Sequence, residues 1–88
     1  MNYTKQDLGV KVVRKVKQVN DTLFSTSVDN LVKGVFFTLK PITSPKENQV
    51  YHRDFYDRES KRFAISNYSN TIEKFLRGDK IVYINFEF

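Results

Sequence analysis

The last stretch of the sequence has the most regular alternation of apolar and polar residues. One side of an extended backbone here carries Val82, Ile84, Phe86 and Phe88. A period of two is typical of a strand that buries one face. We therefore predict a strand over residues 80–88, and we predict that its free edge, with Phe86 and Phe88, contacts another protein chain.

Three other segments have the alternation or the β-branched and aromatic residues of strands. They are residues 35–39, 49–56 and 63–65. A polar loop that contains both prolines separates the first two segments, and prolines exclude a regular helix there. The charged stretch 57–62 predicts the turn of a β-hairpin between the last two segments.

Residues 71–77 have the signals of a short helix. Asn70 is a good N-cap residue, and Glu73 follows it three positions later. Phe75 belongs to an apolar stripe, and Gly78 occupies the position where many helices end. The pattern therefore predicts one helix at about residues 71–77.

The first segment, from Leu8 to Val19, fits two structures. At a helical period its leucine and valines share one side and its lysines and arginine share the other, with Thr4 and Asp7 placed as a capping box. At a period of two, valines also alternate with basic residues. The five valines favour the strand, because β-branched side chains lose rotamer freedom in a helix. Both interpretations remain open from the sequence.

Together these elements predict an α+β fold that is mostly β. Four or five strands and one short helix within a single domain of 88 residues are typical of a small curled antiparallel sheet or of an SH3-like or OB-like barrel. The basic segment 1–19 would pack on this barrel or extend from it. A chain of this length supports one hydrophobic core.

Composition narrows the class of protein. The sequence contains no cysteine, which excludes disulfides and thiolate metal sites and favours a reducing compartment. No run approaches the ~20 apolar residues of a membrane span, and no apolar stretch of a secretion signal follows Lys5 and Asp7. We therefore expect a cytoplasmic protein without a membrane partner.

Known catalytic patterns are absent from the sequence. It has one histidine, no glycine-rich phosphate loop and no spacing of metal ligands. The tripeptide His52-Arg53-Asp54 occurs in the catalytic loop of protein kinases, but the other kinase motifs are missing. The tripeptide Arg77-Gly78-Asp79 occurs in adhesion motifs, but glycine and aspartate are common in turns, and we expect a turn here. We expect a binding protein that is not an enzyme and that uses no cofactor.

The net charge of +5 is concentrated at one end of the chain. Residues 1–19 contain five basic and one acidic side chain, whereas the other sixty-nine contain ten basic and nine acidic. Basic side chains neutralise phosphates, and aromatic rings stack on bases. This combination predicts nucleic-acid binding, single- or double-stranded. The candidate residues are Lys11, Arg14, Lys15 and Lys17 in the first segment and Tyr51, Arg53, Tyr56, Arg58, Lys61 and Arg62 in the hairpin.

Four short motifs resemble small β-barrel proteins of bacteriophages and mobile elements. They lie at residues 30–37, 50–53, 61–64 and 75–82, so the resemblance covers roughly residues 24–84. Most such proteins have no known activity. The resemblance implies a phage origin and the host cytoplasm as the location, more than it implies a particular activity.

A second hypothesis is a protein-interaction module. The apolar strand predicted at residues 80–88 would dock on a host protein and modulate it, or would pair with a second copy in a homodimer through an edge strand. The phage resemblance favours a bacterial protein as the partner.

Overall fold

Short strands make up most of the computed structural model, which describes residues 3–87. Within that range there is one α-helix, α1 (Lys5–Leu8), and there are three 3-10 helices at Val13–Lys15, Val28–Asn30 and Glu47–Gln49. The seven strands are β1 (Lys17–Gln18), β2 (Phe24–Ser27), β3 (Phe36–Phe37), β4 (Tyr51–Asp57), β5 (Arg62–Asn67), β6 (Ile72–Arg77) and β7 (Ile81–Ile84).

The strands form two antiparallel sheets that are joined at one point. One sheet has the order β1-β2-β7 and the other β3-β4-β5-β6. The two backbone hydrogen bonds between Thr38 and Tyr83, at 2.9 and 3.0 Å, connect β3 to β7. The sheets therefore curl around one core, and among the described residues no pairing between β6 and β1 closes them into a barrel. The prediction of a mostly β, curled antiparallel fold with one short helix is confirmed.

The core lies between the two sheets and is built by alternation along each strand. In β2 the inward residues are Phe24 and Thr26, and in β7 they are Val82 and Ile84. Phe24 and Phe37 are fully buried. Burial of such a side chain contributes roughly 1.5–3 kcal/mol, so these alternating positions fix which face of each strand turns inward.

The predicted helix at residues 71–77 is wrong, because this segment is strand β6. It pairs with β5, where Leu76 lies opposite Phe63 and Phe75 lies opposite Ala64. Asn70 has a φ of +66° and stands in the turn between the two strands. A seven-residue helix is marginal without strong packing. Pairing with the apolar strand β5 outweighs the weak local helix signals.

The first segment forms neither of the two predicted structures over its full length, and its regular strand is limited to Lys17–Gln18. Thr4 and Asp7 do form a capping box, whose hydrogen bonds lower the pKa of Asp7, but the helix ends after one turn at Gly9. The segment that follows is held by Asn30. The backbone N–H of Val12 donates to Asn30 Oδ1 (3.0 Å), and Asn30 Nδ2 donates to the carbonyl of Val12 (2.9 Å). These bonds replace the regular backbone pairing of a helix or strand.

The final strand is shorter than predicted, and its outer side is paired at one position. It ends at Ile84, because Asn85 has a φ of +67° and its side chain donates to the carbonyl of Thr22 (2.7 Å). β7 is the last strand of its sheet, and on its other side Tyr83 pairs with Thr38. The predicted strand at Phe86 is therefore wrong: Phe86 is half-buried beyond the strand, and Phe88 lies outside the described residues.

Gly9 gives a test of this packing. Its φ is +68°, and a Cβ at this position would lie 2.5 Å from Cγ2 of Val35. Gly9→Ala should therefore lower the free energy of unfolding by about 1–3 kcal/mol, as measured by urea unfolding. The control is Gly34→Ala, where φ is +90° but a Cβ meets open space. Equal losses in the two variants would show that the contact with Val35 is not the cause.

Candidate nucleic-acid interface

The four-stranded sheet has an outer face that turns away from the core. Along β5, Phe63 and Ile65 belong to the core, so Ala64 and Ser66 point to the opposite side. The cross-strand neighbours of Ala64 and Ser66 on β6 are Phe75 and Ile72. Because directly paired residues project to the same side, Phe75 and Ile72 share this outer face with the two small residues.

A bulge in β4 adds two side chains to the outer face. The register shifts between Arg53 and Tyr56, and a bulge lets two residues oppose one. Asp54 Oδ2 accepts a hydrogen bond from Ser66 Oγ (3.1 Å), and the Phe55 ring contacts the ring of Phe75 with centroids 6.2 Å apart. Asp54 and Phe55 therefore both project outward.

Exposed aromatic rings form two groups on this face. Phe55 (44% exposed) and Phe75 (38%) make the first group. In the second, the ring of Phe36 (44%) lies 6.0 Å from His52 and 5.9 Å from Tyr68. We call Phe36, His52, Phe55, Tyr68 and Phe75 the aromatic face. Ala64 and Ser66 are small and fully buried between its members.

His52 is held in a defined orientation within the aromatic face. Its Nε2–H donates to the Oδ1 of Asn70 at 2.9 Å. Asn70 is fixed by the turn between β5 and β6, where Asn67 Oδ1 accepts from the backbone N–H of Ser69 (2.9 Å) and Thr71 (3.1 Å). The turn therefore positions an imidazole ring beside Phe36.

Charged side chains flank the aromatic rings. Arg62 lies directly opposite Arg77 across β5 and β6. Lys33 Nζ lies 4.0 Å from Asp54, and Arg77 lies 3.3 Å from Asp79. Such exposed ion pairs contribute about 0–1 kcal/mol, so these cations remain available to an anionic ligand.

Three of the predicted hairpin residues lie on the core side of the sheet. Arg53 lies over the Phe63 ring at 4.5 Å, and the Tyr56 ring is 4.9 Å from the same ring. Burial lowers the pKa of Arg53, while the charge of Asp54 acts in the opposite direction. Its Nε is buried with no hydrogen-bond partner in the described part of the chain. Tyr51 is half-buried against Phe37.

The other hairpin candidates lie at the tip and at the start of β5. Arg58 and Lys61 are exposed in the turn. Asp57 accepts a hydrogen bond from Ser60 Oγ (2.7 Å), which lowers the pKa of Asp57 and closes the turn. Arg62 projects to the outer face beside Ala64, two positions along the strand. Of the six hairpin candidates, Arg62 is therefore the one that lies beside the aromatic face.

The basic N-terminal candidates lie beside the three-stranded sheet. The Lys11 N–H donates to the carbonyl of Asn30 (2.8 Å), and the carbonyl of Lys15 accepts from Thr26 Oγ1 (3.2 Å). Lys17 is paired with Ser25 in β1. Together with Arg14, these residues are exposed. The structure therefore attaches the N-terminal basic group to residues 25–30 and not to the hairpin that carries the other predicted basic group.

Sequence reasoning missed most of the aromatic face, although one signal pointed to it. Two adjacent residues of a strand project to opposite sides. Of the pair Phe36 and Phe37, one ring is therefore exposed when the other is buried, as observed. Phe75 was hidden by its assignment to a helix. His52 was considered only within a kinase tripeptide.

Other kinds of site find little support in the described chain. Between residues 3 and 87, no three histidine or acidic side chains converge in an arrangement that would hold a metal ion. No helix in the same range has the length and apolar character needed to cross a membrane.

The chain has no match in the comparisons with known proteins. No family model, no curated protein and no solved structure is significantly similar to it. The resemblance to phage proteins therefore stays a prediction from the four sequence motifs, and functional inference rests on the surface of the molecule.

Proposed function

We propose that this protein binds single-stranded nucleic acid on the outer face of its four-stranded sheet. The observation that carries the proposal is the aromatic face, on which the exposed rings of Phe36, Tyr68, Phe55 and Phe75 surround a buried centre of small residues. Unpaired bases would stack on these rings, and backbone phosphates would contact the flanking cations.

The exposure of the rings supports stacking. Several partly exposed aromatic rings lie on one sheet face, and exposed apolar patches of this kind mark binding surfaces. Base stacking on an aromatic side chain contributes about 1–3 kcal/mol per base and tolerates any base sequence. The aromatic face therefore predicts affinity with little sequence preference.

The shape of the molecule favours single strands over duplexes. Bases within a duplex are stacked on each other and offer only their edges in the grooves. Reading the major groove usually requires a helix or a two-stranded ribbon, and the one α-helix of the described chain has four residues. An open sheet face with exposed rings instead suits unstacked bases.

The number of cations around the aromatic face predicts a modest salt dependence. Lys33, Arg62 and Arg77 adjoin it, and Asp54 offsets part of their charge. Each neutralised phosphate of a single strand contributes a slope of about −0.7 to log K against log salt. Two or three contacts give a slope of about −1.4 to −2.1.

The proposal is tested by fluorescence anisotropy with a labelled twelve-nucleotide strand and the matching duplex, each as DNA and as RNA. At 50 mM NaCl the single strand should bind at least about tenfold more tightly than the duplex. Raising the salt to 200 mM should weaken this binding about 7- to 18-fold. Equal binding of the duplex, or no single-strand binding at 50 mM salt, would overturn the proposal.

The competing hypothesis places a protein on the same face. A bacterial lysate suits this comparison, given the phage resemblance. The protein is used as bait with and without prior nuclease treatment of the lysate. Loss of the captured partners after nuclease supports nucleic-acid binding, whereas direct capture of one protein that survives nuclease and does not bind an aromatic-face variant favours protein docking.

A further inference from the structure

A groove lies between β6, the turn at residues 78–80 and β7. It is open, with a volume of about 590 Å³. Phe75 forms part of its wall and also belongs to the aromatic face. The other lining residues that matter for the argument are Arg62, Arg77, Asp79, Lys80 and Tyr83.

The charge of this groove is positive. Three cationic side chains and one carboxylate line it. Two of the cations, Arg62 and Arg77, are direct cross-strand neighbours. Directly opposite side chains have Cβ atoms about 4.5–5.5 Å apart, and like charges in this position are destabilising. The fold therefore places two arginines at directly paired positions, where their like charges lower its stability.

Nearby carboxylates do not neutralise this charge. Asp79 pairs with Arg77 at 3.3 Å, and both side chains are largely exposed. Among residues 3–87, Arg62 and Lys80 have no carboxylate oxygen within 4.0 Å. Asp57 lies opposite Arg62 in the register, but its carboxylate accepts hydrogen bonds from the hairpin turn. Two cations of the groove therefore have no counter-ion within the described part of the chain.

We propose that this groove binds a phosphate group. A planar guanidinium forms two parallel hydrogen bonds to a phosphate. Two arginines with a nearby lysine therefore suit an anion whose several oxygens each accept a hydrogen bond. A bound phosphate would also remove the repulsion between Arg62 and Arg77. The phosphate site follows from the groove itself. That the phosphate belongs to a strand stacked on Phe75 rests on the proposed function.

The first test uses inorganic phosphate and thermal unfolding at pH 7.5. In sodium phosphate, the Tm of the wild-type protein should rise by about 4–8 °C over sodium chloride of equal ionic strength, once phosphate exceeds its Kd about fivefold. Arg62→Gln and Arg77→Gln should each lose most of this gain. Lys5→Gln, which removes an exposed lysine of α1, should keep it.

The variants also separate specific binding from a general salt effect, because phosphate stabilises many folded proteins by exclusion from their surface. In sodium chloride, Arg62→Gln should be at least as stable as wild type, since the like-charged pair is gone. An equal phosphate gain in wild type and in both arginine variants would overturn the proposal.

The second test uses the labelled single strand. If the bound phosphate is part of the nucleic-acid backbone, Arg62→Gln should reduce the salt slope by about 0.7. If the oligonucleotide does not bind but phosphate still raises the Tm in an arginine-dependent way, the proposed function is refuted and the phosphate site is retained. If the oligonucleotide binds and Arg62→Gln leaves the salt slope unchanged, the groove does not contact the phosphates of the bound oligonucleotide.

Discussion

Alanine at both Phe55 and Phe75 is expected to weaken the binding of a single-stranded oligonucleotide at least about 30-fold. The two exposed rings contact each other on the outer face. Loss of one stacked base costs about 1–3 kcal/mol, and two such losses at the lower limit give a factor of about 30. Anisotropy titration at 50 mM NaCl measures the change.

A leucine pair at the same positions distinguishes stacking from general apolar contact. Phe55→Leu with Phe75→Leu keeps apolar surface but removes the flat ring, so it should lose nearly as much affinity as the alanine pair. Val19→Ala removes an exposed apolar side chain close to β1 and should bind as wild type does. Wild-type affinity in the leucine pair would mean that the face recognises apolar groups, as a protein partner offers, and not bases.

Replacing Asn30 by alanine is expected to lower the free energy of unfolding by about 2–4 kcal/mol. Asn30 is buried and makes three side-chain hydrogen bonds, two with the backbone of Val12 and one to Thr26 Oγ1. Each such bond contributes about 0.5–1.5 kcal/mol. A domain of this size has roughly 4–13 kcal/mol in total, so one substitution would remove a large part of its stability.

Urea unfolding followed by circular dichroism measures this loss, with Asn48→Ala as the control at an exposed asparagine. Trypsin adds a local measurement, because Asn30 holds the segment that contains Lys11 and Lys15. Asn30→Ala should be cleaved in this segment faster than wild type under conditions that leave the core folded. A loss below about 0.5 kcal/mol would show that water replaces the side chain without cost.

The sequence predicts those parts of the fold that depend on short-range alternation. The structure contains the predicted hairpin of β4 and β5 and the predicted strand β7. These segments are strands because Ile65, Val82 and Ile84 are buried on the inward face. The failures arise where long-range pairing decides. Residues 72–77 have helix signals of their own, but their partner strand β5 imposes an extended backbone.

The candidate site was predicted less completely than the fold. The combination of basic and aromatic residues near the hairpin indicates β4 and β5, which carry part of the aromatic face, yet Arg53 and Tyr56 project to the core side. The bulge that turns Phe55 outward depends on pairing between strands and has no signature in the local sequence. The phosphate groove depends on Arg62 and Arg77 meeting across two strands, which composition alone does not reveal.

The pairing of β7 with both β2 and Thr38 has a consequence for the order in which the chain folds. Its partners in β2 precede it by between 54 and 60 residues, and Tyr83 also makes the bridge to Thr38. We expect the neighbouring strands β4, β5 and β6 to pair locally during synthesis, and the two sheets to join only after residues 81–84 leave the ribosome. Contacts so distant in sequence are slow to form. Assembly of the core is therefore a late event that depends on four residues, and until it occurs the apolar edges of both sheets are open to incorrect pairing.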